Sequence, residues 1–386
     1  MFGEKQHTFI SHSMELVVRE EPKDGNDHQA LTLRSYDSDA LLAHRQARAL
    51  NVTQHLYFLL KSKQWSEFRA TLGSYVQLVE GGKDTVILQV PLEVPTRTKV
   101  VSLERRLGDA PDTLVLPGDP KEPELVDNEG VTVAVKLQKV VKDSAGDDEL
   151  YKEATYFEAG TLAVRQGICA HFPLMMAHIV YDTEDKERWH ALVNEWADGD
   201  LGHLYGNHRE DPTAIHHFHR QATLQAMMGL VVMNYLWDVY HNDLHPKNVL
   251  FVYLPTPTTF VYDLPFGTDE TGEVSIKRLI LHNAQVLCLI WDFSKVDDTA
   301  ELGSNDFYEF FSQAADVYPA LTSEVKRLSG YTPAETKDVY PWIDGLMEGW
   351  AAIDPAIIVE TLTKEEVSAK LLPHPCVYSS MTSTTL

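Results

Sequence analysis

The sequence predicts an α+β protein in which a β-rich half precedes a largely helical half, with the boundary near residues 195–200. Residues 131–138 read VTVAVKLQ, where valine and leucine alternate with other residues, as in a strand that buries one face. Residues 223–240 carry apolar side chains at the i, i+3, i+4 and i+7 spacing of a helix with one buried face. The 386 residues exceed what one core normally supports, so two lobes or domains are expected.

The first half supports this class with short β-type runs and one further helix. Leucines recur through residues 39–70, which predicts a helical N-terminal extension at 1–67. Two β-type runs flank Gly81-Gly82-Lys83-Asp84, which predicts a hairpin turn. Prolines and glycines crowd residues 106–130, so an insertion is expected at about 91–130. A helix is predicted at 147–165 and a strand at 189–196.

The second half is predicted to be mostly helical after a group of strands. We expect an insertion at about 252–285 among these strands and a flexible Ser/Thr-rich tail at 373–386. The predicted strands are 248–253, 259–263, 275–282 and 286–293, and the predicted helices are 305–328, 338–352 and 355–372.

Composition limits the classes of function. Lys and Arg number 33 against 57 Asp and Glu, for a net charge of -24. A surface of this sign repels phosphate backbones, so a nucleic-acid partner is not expected. The three cysteines are odd in number and widely spaced, which predicts reduced thiols in a cytoplasmic or other reducing intracellular compartment. Residues 1–10 lack a signal-peptide core and no apolar run is long enough to span a bilayer, so no membrane association is expected.

The chemistry-bearing residues lie in a polar loop that follows the strongest helix. The loop reads His241-Asn242-Asp243-Leu244-His245-Pro246-Lys247-Asn248 and leads into an apolar strand. A carboxylate such as Asp243 can accept a proton from an attacking hydroxyl, and the amide oxygen of Asn248 can bind a divalent cation. A second apolar strand ends at Asp292, and Mg²⁺ is bound by one or two such groups together with phosphate oxygens.

These motifs resemble those of the protein kinase superfamily. The loop looks like the catalytic loop H-R-D-L-x-x-x-N, Asp292-Phe293-Ser294 looks like D-F-G, and Val133-Ala134-Val135-Lys136 looks like V-A-I-K. Their order along the chain is also the order in that family. The resemblance implies a bilobal protein kinase-like fold, with a β-rich N-lobe at 68–197 and a mostly helical C-lobe at 198–372.

The resemblance also implies roles for individual residues. Asp243 would be the catalytic base, and Asn248 and Asp292 would bind Mg²⁺. Lys136 would hold the ATP phosphates, with its ammonium fixed by an acidic residue of the next helix, either Glu153 or Glu158, of which Glu153 is preferred. The adenine and phosphates would also meet four residues outside the loop: Ala134, Gly73 of a glycine-rich loop, and Glu195 and Ala197 of the hinge segment.

The chain departs from the protein kinase pattern at several positions. Gly73 is the one glycine kept in the glycine-rich loop, Ser294 replaces the glycine of D-F-G, and no Ala-Pro-Glu motif follows. His245 stands where protein kinases usually place a lysine, and phosphotransferases of the aminoglycoside and choline kinase groups often have histidine there. A long segment between the two motifs and a short C-lobe resemble the kinase-like proteins of large DNA viruses.

The prediction is therefore an ATP- and Mg²⁺-dependent serine/threonine protein kinase. The acidic composition favours a basic protein substrate. Three alternatives stay open: a small-molecule phosphotransferase, a catalytically inactive kinase-like scaffold, and a virion component.

Overall fold

The computed structural model describes residues 41, 45–50, 52–53, 56, 78–81, 85–96, 127–140, 144–182, 186–207, 212–268, 274–298, 306, 310, 323–324, 327 and 339–362. These residues form a mixed α and β structure with two antiparallel sheets, which confirms the α+β class. Gly73, residues 97–126, the tail at 373–386 and most of the N-terminal extension lie outside the described residues, so the predictions made for them are not addressed.

The first sheet contains the strands predicted in the first half of the chain. Its spatial order is β1-β2-β3-β5-β4, and all neighbours are antiparallel. The ends of the predicted insertion at 91–130 belong to β2 and β3, which remain paired as far as Thr96 and Asp127. The strands are β1 (Leu78–Gly81), β2 (Thr85–Thr96), β3 (Asp127–Lys139), β4 (Met175–Asp182) and β5 (Arg188–Glu195).

Helix α1 (Ser144–Arg165) follows β3 and includes the helix predicted at 147–165. Val133 and Val135 on one face of β3 are fully buried, as the alternating pattern predicts. The opposite face is also covered, since Ala134 is 6% exposed and Lys136 is 4% exposed. Lys136 contacts Glu153 of α1, so a lysine that the strand pattern alone would leave in solvent lies between sheet and helix.

The second sheet contains the strands predicted at 248–253, 259–263, 275–282 and 286–293, which join into two long strands. Its strands are β6 (Gly199–Asp200), β7 (Val249–Thr268), β8 (Val274–Ile290) and β9 (Ile357–Thr361), in the order β6-β7-β8-β9. The predicted insertion at 252–285 falls in the long hairpin of β7 and β8. Phe260, Leu264 and Leu279 in this hairpin are fully buried, so it is part of the core. The prediction of a separate insertion at 252–285 is therefore wrong, because these apolar positions pair as strands of the core. Where the chain is described, the second half is less helical than predicted, since it holds a four-stranded sheet beside its helices.

The helix predicted at 355–372 is also wrong where the chain is described. Residues 357–361 form β9, whose Ile357 and Val359 pair with Leu281 and Leu279 of β8. The β-branched side chains at this position pack against an exposed strand edge, and that contact outweighs the weak helical pattern.

Besides the short 3-10 turns at Pro246–Asn248 and Phe293–Lys295, helical segments accompany the second sheet in the described part of the chain. They are α2 (Leu201–Asn207), α3 (Pro212–Val231), a π-helical turn at Val232–Leu236, and α4 (Val339–Ala351). Helix α4 confirms the helix predicted at 338–352. The helix predicted at 223–240 is confirmed in part, since α3 begins earlier and its regular α geometry ends at Val231.

Helix α3 packs directly on β8. A side chain at Gly229 would come within 2.5 Å of Ile290 Cδ1, so glycine permits the close approach of helix and strand. The Gln225 side chain donates to Val286 O at 3.1 Å and accepts from Cys288 N at 3.0 Å. The Gln225 side chain thus hydrogen-bonds backbone groups on the edge of β8 at residues that do not pair with β9. The end of α3 is thereby fixed beside the end of β8.

Within the described ranges, none of the helices has the length and apolar character needed to cross a bilayer.

Candidate functional site

The pairing of β7 with β8 brings the polar loop and Asp292 together. Val249, the first residue of β7, is opposite Ile290, the last residue of β8. The Trp291 backbone N–H donates to Asn248 O at 2.8 Å. The residues that precede β7 and follow β8 therefore lie at the same end of the sheet, with Asn248 next to Asp292.

Lys136 reaches this point from the other sheet. Its Nζ lies 2.6 Å from Glu153 Oε1 and 2.7 Å from Asp292 Oδ1. Gln138 Nε2 donates to the second oxygen of Glu153 at 2.9 Å. Of the two glutamates considered for this contact, the structure thus brings Glu153 to the lysine. Strand β3, helix α1 and the segment after β8 meet at one ammonium.

The charges of this cluster depend on one another. Burial alone would lower the pKa of Lys136, but the carboxylates of Glu153 and Asp292 outweigh it and raise the pKa above its ordinary value. Burial alone would raise the pKa of Asp292, but the Lys136 ammonium outweighs it and the pKa lies below its ordinary value. Burial raises the pKa of Glu153 even beside the ammonium. The lysine therefore remains charged and keeps Asp292 ionised.

Asp243 and Asn248 are joined within the loop. Asn248 Nδ2 donates to the backbone oxygen of Asp243 at 2.9 Å, which directs the amide oxygen away from that bond and leaves it available as a ligand. The Asp243 carboxylate is 26% exposed, and its Oδ2 lies 3.2 Å from Lys295 Nζ. The loop thus carries two groups close together. The Asp243 carboxylate can accept a proton, and the Asn248 amide oxygen can bind a cation.

Aromatic packing fixes the residue that follows Asp292. Phe293 is 1% exposed, and its ring centroid lies 4.8 Å from that of Phe157 and 5.9 Å from that of His241. Phe157 is one turn beyond Glu153 on α1, so the same helix face holds the lysine partner and the aromatic contact. Asp292 itself has φ 63°, a left-handed conformation that is uncommon for residues other than glycine and that aspartate tolerates better than most.

Asp306 binds the backbone at the start of the loop, and it was not among the predicted residues. Its two carboxylate oxygens accept the backbone N–H groups of His241 at 2.9 Å and Asn242 at 2.8 Å. Burial raises the pKa of Asp306, although the two N–H donors and His241 oppose that shift. Asn242 has φ 60°, so the carboxylate holds a left-handed residue immediately before Asp243.

We expect Asp306→Ala to lower the free energy of unfolding by about 2–6 kcal/mol, because two buried N–H groups lose their partners at about 1–3 kcal/mol each. Urea denaturation measures this change. Asp306→Asn keeps one acceptor oxygen and should lose less. A free energy for the alanine variant within about 0.5 kcal/mol of the wild type would contradict the assigned role.

The segment between β5 and β6 is fixed to both sheets. The Asp198 N–H donates to Phe251 O at 2.8 Å, and Asp198 Oδ2 accepts from Tyr253 N at 2.7 Å. Ala197 is half-buried in this segment. It thus lies in the connection between the first and the second sheet.

The Glu195 side chain faces the N-terminal helical residues. Arg45 donates to its two oxygens at 2.9 and 2.8 Å, and also to Ala170 O and Phe172 O at 2.8 Å each. Glu195 therefore has its side chain occupied by Arg45, so any contact with a ligand would use its backbone. Arg45 was not predicted, because a single arginine in a helical pattern gives no sign of a distant partner.

A cluster of titratable groups attaches the start of α1 to β5 and β4. Asp147 accepts from Arg188 Nη1 at 3.0 Å and contacts His190 Nε2 at 2.8 Å. His178 Nε2 lies 2.9 Å from His190 Nδ1, and Tyr151 packs its ring edge on both histidines. When His190 is neutral and donates from Nε2 to the carboxylate, its Nδ1 accepts from His178 Nε2. Burial lowers the pKa of His190 even though Asp147 opposes that shift, which favours this neutral form.

This cluster predicts an acid-sensitive fold. Burial, aided by the charge of His190 and opposed by Asp147, lowers the pKa of His178 from 6.5 to about 4. A lowered histidine pKa means that the unfolded chain binds the proton first as the pH falls below 6.5, so stability is full above 6.5 and declines towards pH 4. The slope for one proton is about 1.4 kcal/mol per pH unit.

We expect His178→Gln, which keeps the donor to His190, to flatten the loss of unfolding free energy between pH 6.5 and pH 4 by about one proton. Denaturation curves at a series of pH values measure the slope. Equal slopes in the variant and the wild type would contradict this assignment.

The structure brings together Lys136, Glu153, Asp292, Asn248 and Asp243, which the sequence singled out. Ala134 lies on the same face of β3 as Lys136, opposite Asn194 of β5. Gly73 lies outside the described residues. Three supporting residues were missed: Arg45, Asp306 and Lys295. Phe157 lies four residues after Glu153 and therefore on the same helix face. An apolar neighbour of this kind was a sequence signal that could have favoured Glu153 over Glu158 as the partner of Lys136.

Comparison of the chain with protein-family models and with curated proteins finds no match.

The oxygens at this site fit a magnesium ion by their chemistry. Asp292 offers a carboxylate that stays ionised and Asn248 offers an amide oxygen, and Mg²⁺ prefers such oxygen ligands. In the described part of the chain, no group of three or more His, Cys, Asp or Glu side chains is arranged to hold a metal. Two protein ligands are consistent with Mg²⁺ binding, because Mg²⁺ usually takes its remaining ligands from phosphate and water.

Proposed function

We propose that this chain is an ATP- and Mg²⁺-dependent phosphotransferase that moves the γ-phosphate to a Ser or Thr hydroxyl of a protein. One observation carries the proposal. The Lys136 ammonium contacts both Glu153 and Asp292, which is 156 residues away in the chain, at the end of the sheet that also presents Asn248. A buried lysine with two acidic partners beside a loop carboxylate is a suitable arrangement for binding phosphates and receiving a proton.

The chain's own residues divide the chemistry as follows. Lys136, held by Glu153, would bind phosphate oxygens, and Asp292 with Asn248 would hold Mg²⁺, which offsets phosphate charge when bound. Asp243 would take the proton of the acceptor hydroxyl. As the hydroxyl oxygen bonds to the γ-phosphorus, the bond to the β-phosphate oxygen breaks and ADP leaves with the electron pair. Most of the acceleration would come from positioning and charge.

We also propose that the two sheets belong to the two lobes of a kinase-like fold. The five-stranded sheet with α1 would be the N-lobe, and the second sheet with α3 and α4 the C-lobe. The segment around Ala197 between them would contact adenine through its backbone, together with Ala134. This proposal rests on the resemblance of the motifs and on the position of Lys136 between the two sheets.

His245 favours a second candidate, a phosphotransferase for small molecules. This residue resembles the histidine of the aminoglycoside and choline kinase groups, and it is half-buried beside Asp243. A protein acceptor is still preferred, because Asp292-Phe293 resembles the D-F-G pattern of protein kinases, which the small-molecule groups carry less often. The two classes of acceptor, protein and small molecule, therefore have to be compared in the same assay.

The test offers labelled ATP and Mg²⁺ to the purified chain with three sets of acceptors: basic proteins, amino alcohols and aminoglycosides. We expect Mg²⁺-dependent label on Ser or Thr of protein and a Mg²⁺-dependent rise in melting temperature with a non-hydrolysable ATP analogue. Excess EDTA should remove both signals.

The other outcomes identify the alternatives. Label on an amino alcohol or aminoglycoside alone would support the small-molecule enzyme. A melting shift without transfer to any acceptor would support an inactive kinase-like scaffold, including one built into a virion. Neither transfer nor a Mg²⁺-dependent melting shift would remove the phosphotransferase proposal altogether.

A further inference from the structure

Lys295 is a cation beside the loop carboxylate that no motif of the sequence identifies. Its Nζ lies 3.2 Å from Asp243 Oδ2, and its side chain is 57% exposed. An exposed ion pair of this kind stabilises a fold by about 1 kcal/mol at most. The contact therefore contributes little to stability, and its position at Asp243 calls for another explanation.

The backbone of Lys295 is held more firmly than its side chain. Residues Phe293–Lys295 form a short 3-10 turn directly after Asp292, and Phe293 is buried in the aromatic packing. Lys295 O accepts from Asn242 Nδ2 at 3.3 Å. The turn thus attaches the lysine to the loop that carries Asp243, while four flexible methylenes leave the ammonium free to move.

The neighbouring His245 cannot supply a positive charge in this arrangement. Its Nδ1 accepts the backbone N–H of Lys247 at 3.2 Å, so the ring proton is on Nε2 and the ring is neutral. Burial, with opposing effects from the charges around it, lowers the pKa of His245 below its ordinary value. The loop also carries one lysine, Lys247, whose stem lies beside Gly202 of α2, whereas the ammonium at the Asp243 carboxylate is that of Lys295.

An anionic phosphoryl group that approaches Asp243 meets the negative charge of the carboxylate. A mobile ammonium at this point removes the repulsion and then follows the charge as it spreads over the phosphoryl oxygens. We propose that Lys295 is a catalytic residue whose ammonium leaves Asp243 to contact the transferred phosphoryl group. This inference rests on the proposed function and adds a residue to the same site. The bonds made and broken are those already given, and Lys295 contributes charge without exchanging a proton.

The test compares Lys295→Met, Lys295→Arg and the wild type in the transfer assay with the best acceptor. The methionine keeps the apolar part of the side chain and removes the charge. We expect it to lower kcat about 100-fold, the usual cost of one lost donor to a developing charge, with less than about a threefold change in KM for ATP. Arginine should keep at least about a third of the activity. Because the pair with Asp243 is exposed, both variants should melt within about 2 °C of the wild type.

Lys152→Met is the matched control, since Lys152 is 45% exposed and also pairs with an aspartate, Asp297, at 2.9 Å. It should behave as the wild type. Activity of Lys295→Met within about twofold of the wild type would overturn the inference, as would a rise in KM at unchanged kcat. Equal loss of activity in the methionine and arginine variants, with a lower melting temperature, would show a structural role and overturn it too. An inactive wild type would instead count against the proposed function, and the inference would fall with it.

Discussion

Asp243→Asn should lower the transfer rate by about 10²- to 10⁴-fold, the range for loss of a positioned general base. The substitution replaces one carboxylate oxygen with an amide nitrogen and changes the size of the side chain hardly at all. The amide cannot accept the hydroxyl proton at neutral pH. The backbone oxygen of Asp243, which accepts from Asn248 Nδ2 at 2.9 Å, is unaffected, so the loop should keep its shape. Single-turnover transfer of labelled phosphate measures the change.

Nucleotide binding distinguishes loss of chemistry from loss of the site. The Asp243→Asn variant should keep the Mg²⁺-dependent melting shift of the wild type to within about 1 °C, because Lys136, Asn248 and Asp292 are intact. Asp182→Asn is the matched control: it makes the same chemical change at a side chain that is 55% exposed and lies at the end of β4. We expect that variant to transfer phosphate normally. Full activity in Asp243→Asn would exclude this carboxylate as the base.

Lys136→Met should reduce the free energy of unfolding by about 3–5 kcal/mol, as expected when one partner of a buried ion pair is removed. The side chain of Glu153 is 1% exposed and would keep its carboxyl in the core with Gln138 as its remaining hydrogen-bond donor. Chemical denaturation measures the loss. Transfer should also fall to background, because the ammonium that would bind the phosphates is gone.

A second substitution separates the two effects of the lysine. In Lys136→Met combined with Glu153→Gln, a neutral amide replaces the unpaired carboxyl. We therefore expect most of the lost unfolding free energy to return. Transfer should remain at background, because the phosphate contact is still missing. If the double variant is no more stable than Lys136→Met, the lost stability does not come from the unpaired carboxyl of Glu153.

The sequence predicted the elements whose pattern is local and strong. The alternation in residues 131–138 identified β3, and the apolar spacing around residue 228 identified α3 in part. It did not predict that β7 and β8 are continuous, because the Pro- and Thr-rich residues near 255–258 read as a loop. β7 continues because its pairing with β8 resumes at Thr258 after an irregular stretch at 254–257, and because Phe260 and Leu264 beyond that stretch are buried. β9 was missed for the same reason, since a five-residue strand is defined by the edge that it joins.

The candidate site shows the same division between local and distant information. The loop carrying Asp243 and Asn248 is recognisable because its residue types stand at fixed short spacings. Arg45, Asp306 and Lys295 were invisible because each acts on a residue far from it in the chain. Asp306 binds the N–H groups of His241 and Asn242 more than 60 residues away, and such a distance leaves no periodic trace.

The sequence by itself determined the α+β class, the main strand and helix, and the residue types available for phosphate chemistry. The packing of α1 on β3 decided which glutamate meets Lys136: Glu153 and Glu158 both lie on this helix, and Glu153 shares a face with Phe157, which packs against Phe293. Tertiary structure also decided the charges, because the pKa values of Lys136 and Asp292 depend on burial and on each other. The sequence specifies which side chains are present. Their partners and their charges depend on burial and on the distances between charged groups in the folded chain.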